Sequence, residues 1–187
     1  MTTTMLQRKK GSFLWLNVTQ FLGALNDNLF KLVLIFYLIE LQGPETAGKV
    51  AAFAGAVFVV PFLVFSPLAG VLVDRMRKSK LIVLAKGVEV LVMLIGALAL
   101  WVSSSIGLYL ALFLMALQST FFSPAKYGIV PEIVEKEELS RANGLIEAFT
   151  YLAIILGTTM ATLVPLLAGG GYYSRLFELQ SLTEEFR

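Results

Sequence analysis

The chain has neither histidine nor cysteine. An imidazole base, a thiol nucleophile and the commonest metal ligands are therefore missing. What remains for chemistry is a small set of carboxylates and ammonium groups set in strongly apolar surroundings. Asn26-Asp27-Asn28 and Lys31 lie in the first apolar stretch. At 1.5 Å per residue Asp27 is roughly 20 Å along a helix from Phe13, near the middle of a bilayer. A charge there costs at least about 2.5 to 3.5 kcal/mol on insertion scales, so it needs a reason. Asp27 and Lys31 are four apart, share a helix face, and can pair. One reading is a self-neutralised pair that holds the helix against its neighbours. The preferred one is a polar patch on a central cavity, where Asp27 meets a cationic or hydrogen-bonding part of a substrate. Three consecutive polar residues span too wide an arc for a single packing contact. Lys86 and Glu89 repeat the theme three residues apart; a structural pair is expected, with Lys86 near enough to the end to snorkel. Glu147 stands at the start of the last apolar stretch, lining either a cytoplasmic mouth or a translocation path.

The elements that position these groups are membrane helices. Of 187 residues, 57% are hydrophobic and 15% charged, against about 25% charged in a soluble domain. No charge falls between Lys49 and Asp74, between Glu89 and Lys126, or between Glu147 and Arg175. Each gap is long enough for the roughly 20 apolar residues that cross a bilayer. One core of a 187-residue soluble protein could not enclose so much apolar surface. Five spans are expected, at about 13–39, 50–73, 81–102, 106–122 or a little beyond, and 145–168. They must be helical, because lipid cannot satisfy a free backbone. Trp15, Tyr37, Trp101, Tyr109 and Tyr127 sit near span ends, as interfacial aromatics do. The fold class is thus all-α and membrane-embedded. No cofactor or metal is implied, and a net charge of +2 with no broad basic face argues against nucleic acid.

Charge in the loops alternates. Arg8, Lys9 and Lys10 lie in the N-terminal segment 1–12, Arg75, Arg77, Lys78 and Lys80 after the second span, and Lys126, Lys136 and Arg141 around the end of the fourth. The first loop has Lys49 as its single base, and Ser103 to Ser105 carry no charge. The positive-inside rule puts the N-terminus in the cytoplasm. The first apolar stretch, too long for a signal-peptide core, is read as retained. The polar tail over 169–187 is either an amphipathic surface segment or a disordered or truncated end. Pro61 and Pro67 are expected to kink the second span. Ala51, Ala52, Ala54, Gly55 and Ala56 are expected to permit close helix approach.

Gly70-Val-Leu-Val-Asp74-Arg75-Met-Arg77-Lys78-Ser79 resembles the signature loop of the major facilitator superfamily, G-x-x-x-D-R-x-G-R-K/R. It stands where that loop belongs, after the second span. Arg77 replaces the second glycine and Ser79 the last base. In this loop Gly70 would permit tight helix packing, Asp74 would cap or pair with a neighbouring helix end, and the bases would anchor the cytoplasmic side. Gln20 to Lys31, Ser123-Pro124-Ala125-Lys126-Tyr127-Gly128-Ile129, and Ala142-Asn143-Gly144-Leu145-Ile146-Glu147-Ala148 followed by Ile154 to Gly157 are similar to stretches of the lysophospholipid transporter branch. The likeness covers about residues 13 to 168.

The resemblance implies two six-helix bundles with a substrate path between them, and flipping of lysophospholipids across the bacterial inner membrane. It implies Asp27 at the head group, with Asn26, Asn28, Lys31, Lys126 and Glu147 as further substrate-side candidates. Asp27 would meet an ethanolamine ammonium, and Lys31 or Lys126 a phosphate. It also implies an acyltransferase and acyl-carrier-protein synthetase, on this or another chain, that re-acylates the lipid. An H-x-x-x-x-D acyltransferase motif is impossible without histidine, so this chain is not expected to be an enzyme. Five spans are fewer than half of twelve, and a fragment or a truncated product that needs the missing bundle is the expectation. A generic carrier of a drug, sugar or peptide, the membrane part of an acyltransferase fusion, and a non-transporting scaffold are the alternatives.

Overall fold

A computed structural model describes the backbone over residues 3–167 and the side chains over 11–163. The tail over 169–187 and the side chains of Arg8, Lys9 and Lys10 lie outside those residues. The chain forms α1 (Thr3–Gln42), α2 (Ala47–Arg75), α3 (Lys78–Trp101), α4 (Ser105–Ile133) and α5 (Leu139–Leu167). Short 3₁₀ turns at Pro44–Thr46 and Lys136–Glu138 precede α2 and α5. All five helices contain a stretch long and apolar enough to cross a membrane. The shortest, α3, has 24 residues and spans about 36 Å at 1.5 Å per residue, more than a hydrocarbon core.

Helix ends differ from the expected spans for identifiable reasons. The helix that holds the first span starts at Thr3, because polar residues continue a helix beyond the bilayer at no cost. The fourth runs through Pro124 and Pro131 to Ile133, past the expected end near Phe122. Proline stays within a membrane helix where neighbouring groups re-satisfy the freed carbonyls. Likewise α2 is one uninterrupted helix across Pro61 and Pro67. The turn before α2 needs Gly43 at φ +96°, and the turn before α4 places Ser103 at φ +51°. The Ser104 hydroxyl oxygen then caps α4, accepting from the Gly107 N–H at 3.2 Å.

The helix α4 is the hub. It packs along α3 and α2 and crosses α1, while α5 lies along α1. The main core joins Leu34 and Leu38 of α1 to Val50 and Ala54 of α2, Val92 of α3, and Leu108, Leu112 and Met115 of α4. A second cluster unites Leu16, Val130, Ala142 and Ile146 at the end where α1 and α5 begin. Glycine allows two close approaches. A Cβ on Gly96 would enter the Phe30 ring, and one on Gly157 would stand 2.5 Å from the Leu25 carbonyl oxygen of α1. The small-residue stretch of α2 behaves otherwise than expected. Only Ala54 is buried, and a Cβ on Gly55 or Gly70 would meet open space. Large apolar side chains instead cover the outside, among them Leu63, Val83, Trp101 and Ile106. In a membrane chain that is the surface facing acyl tails.

Candidate functional site

Asp27 sits on α1 where α4 crosses it. Its Oδ2 accepts a hydrogen bond from the Ser119 hydroxyl at 2.8 Å, and its Oδ1 is buried without a protein donor. Ser119 Oγ is also 3.0 Å from Gln118 Oε1, so its one proton serves one acceptor at a time. The Asp27–Lys31 pair, the alternative to a cavity-facing patch, does not form. Lys31 turns to Asn28, its Nζ donating to Oδ1 at 3.3 Å, and lies 4.8 Å from the Phe58 ring centroid. Asn28 donates to the Ala24 carbonyl of its own helix at 2.8 Å. The ion pairs among the described residues are Lys86–Glu89 at 2.5 Å and Lys78–Glu132 at 2.6 Å.

Lys86 does not snorkel. Its ammonium points inward to Glu89, lies 4.6 Å from the Phe122 ring centroid, and fills the space a side chain on Gly23 would take. Glu89 is held further by Gln118 Nε2 at 3.3 Å and Asn26 Nδ2 at 3.5 Å. Asn26 also reaches Met93 Sδ at 3.2 Å. Gln20 ties α1 to α5, donating to the Ile146 carbonyl at 3.1 Å and receiving from Thr150 at 2.9 Å.

Around these groups lies a cavity of about 160 Å³, lined chiefly by Gln20, Asp27, Lys86, Ser119, Phe122 and Lys126, with Gly23 in its floor. Both signs of charge and two hydroxyl-bearing residues, Ser119 and Ser123, face one space. Such a lining can hold a zwitterionic group by charge pairing and hydrogen bonds.

Of the six candidates, Asp27 and Lys126 line this cavity. Lys126 is buried at 7% exposure and lies 4.5 Å from the Tyr127 ring centroid. Asn26 touches the network through Glu89. Asn28, Lys31 and Glu147 do not line the cavity; the Glu147 carboxylate accepts from the Tyr127 hydroxyl instead. Lys86, Gln118 and Ser119 were not among the candidates. The signal for two of them is the run Gln118-Ser119-Thr120 inside an otherwise apolar span, the counterpart on α4 of Asn26-Asp27-Asn28.

The signature-loop residues lie at the ends of α2 and α3. Asp74, Arg75 and Arg77 are exposed, and Asp74 makes no hydrogen bond or ion pair among the described residues. Its expected capping role is not seen: Arg77 is the N-cap of α3 and no side chain caps that end. Lys78 does join neighbouring helix ends, through Glu132 of α4.

Residues 16–174 match the Major Facilitator Superfamily model, and the chain belongs to that family. Over 141 residues it is 33% identical to the lysophospholipid transporter LplT of Escherichia coli (strain K12 / DH10B). The figures are the same for the proteins of that name from Escherichia coli O157:H7 and Shigella boydii serotype 18. Each alignment covers 75% of this chain and 33% of the relative, so the chain spans about a third of the length of the curated relatives it matches. No solved structure gives a significant match.

Proposed function

We propose that the chain forms part of a transporter that flips lysophospholipids across the bacterial inner membrane for re-acylation. The carrying observation is the two-signed cavity between apolar helices, with Asp27, Lys86 and Lys126 around one space. A lysolipid has one tail and a zwitterionic or anionic head, so its carrier needs a small charge-balanced chamber opening onto apolar wall. The similarity to lysophospholipid transporters supports the same reading. Asp27, on the cavity lining, receives the cationic or donor part of the head. Lys126 takes the phosphate side. Asn26 acts through Glu89, while Lys31, Asn28 and Glu147 hold helices in place.

Major facilitators work by rocking one helical half against the other around a midplane site. In this reading α1 and α4 supply one wall of that site. The N-terminus lies in the cytoplasm, because the ends carrying Arg75, Arg77, Lys78, Lys80, Lys136 and Arg141 share its side. An acyltransferase on the same or another chain consumes the flipped lipid. The test is flipping of lysophosphatidylethanolamine in spheroplasts or proteoliposomes by the complete transporter that contains this chain. Flipping by the wild type and a loss of tenfold or more in Asp27→Ala are expected, on the order of the 1.4 kcal/mol that a buried charged contact supplies. Undiminished flipping in Asp27→Ala would sink the role of Asp27; no flipping by wild type sinks the substrate.

A further inference from the structure

We propose that Lys86 is a phosphate-contacting group of this cavity and that Glu89 is its resting counter-ion, which the phosphate displaces. The inference rests on the lysophospholipid reading above. It starts from an asymmetry within the pair. Lys86 lines the cavity and Glu89 does not. The Lys86 side chain is 23% exposed, that of Glu89 12%. An incoming anion therefore reaches the ammonium and not the carboxylate.

The two partners also differ in what holds them. Glu89 keeps Gln118 and Asn26 as donors when Lys86 leaves. Lys86 makes no other hydrogen bond or ion pair among the described residues; beside it are the Phe122 ring and, at longer range, the Asp27 carboxylate on the same cavity. Its ammonium rests against Gly23, where no side chain fills the space between α1 and α3. The cation is thus confined to the cavity edge by a single ionic contact, and its counter-ion is kept solvated by amides in either state. An ammonium is a compact point charge on a flexible stem, suited to exchanging one oxyanion for another. An ordinary structural pair needs neither the cavity-facing cation nor the spare donors on the acid.

Removing a competing counter-ion tightens binding of the ligand it competes with, whereas breaking a structural pair weakens it. The sign of the effect in Glu89→Gln therefore decides. The probe is oleoyl-lysophosphatidylethanolamine, added to the full chain in nanodiscs, with affinity read by titration and folding by thermal melt. The expected result is a Kd lowered about fivefold to tenfold in Glu89→Gln and raised at least tenfold in Lys86→Gln. Monooleoylglycerol, which lacks phosphate, is expected to bind all three proteins alike. If Lys86→Gln fails to fold, Glu89→Gln alone still decides by its sign. Wild-type binding with Glu89→Gln unchanged or weaker overturns this assignment and leaves the lysophospholipid reading standing. An equal gain for monooleoylglycerol overturns the phosphate contact. No lysolipid binding by wild type overturns both.

Discussion

Asp27 illustrates how far single residues can be read. A carboxylate flanked by two asparagines at mid-span is conspicuous in the sequence, and the structure puts it at a cavity. Its partner was not legible, because the i,i+4 rule favours Lys31, whereas Ser119 lies 92 positions away. Tertiary packing decided, turning Lys31 toward Asn28 and Phe58. Lys86 was legible as half of a pair but not as a cavity group, since the space beside Gly23 exists only once α1 and α3 meet. Ser119→Ala removes the donor that satisfies one Asp27 oxygen. The expected cost is about 1 to 3 kcal/mol of stability, read as a lowered melting midpoint in detergent, with Ser119→Thr restoring most of it. Tyr127→Phe deletes the hydrogen bond to Glu147 that joins α4 to α5. The expected loss is smaller, about 0.5 to 1.5 kcal/mol, and flipping should survive it. A transport defect in Tyr127→Phe without a stability change would return Glu147 to the substrate path.

Helices were the best-read level. Three charge-free gaps and the apolar runs around Asp27 and Lys86 point to five spans, and five helices long and apolar enough to cross a membrane are found. Their ends were less legible, because proline stops a helix in water more firmly than in a packed membrane bundle, and α4 crosses two of them. Which small residues mediate contact was also hidden. The helix α2 buries Val50 and Ala54 in the core it shares with α4 and leaves Ala51, Ala52, Gly55 and Ala56 exposed, while the isolated Gly157 carries the α1–α5 approach. Gly157→Ala sets a methyl group against a backbone carbonyl that has no rotamer to escape into. Overpacking of this kind costs typically about 1 to 3 kcal/mol. Gly144→Ala, in open space on the same helix, is the control and should melt like wild type. Equal melting of both would remove the tight α1–α5 seam.

For the whole molecule, the proposed orientation rests on where the bases fall, and the chain offers a clean way to check it. It has no cysteine, so a single introduced thiol is the sole target of an impermeant maleimide. Glu45→Cys should react in intact spheroplasts, and Glu137→Cys only after the membrane is opened. The reverse pattern would invert the topology. Membership of the superfamily was legible from the motif order, although Asp74 lacks the partner that the signature loop leads one to expect.

Because α4 is the hub, the molecule is also constrained in time. Asp27, Lys86 and Glu89 are all synthesised before Gln118 and Ser119, the α4 residues that complete their hydrogen bonds. At 5 to 20 residues per second, the 92 residues separating Asp27 from Ser119 take about 5 to 18 s to make. Through that interval three ionisable groups wait in or beside the bilayer with their packing unfinished, and water or the insertion machinery must shelter them. Ribosome-bound chains released into the membrane through Trp101 should leave Asp27 open to a carbodiimide. Chains released through Ile133 should protect it. Equal labelling of the two lengths would mean that the first three helices assemble a shelter of their own.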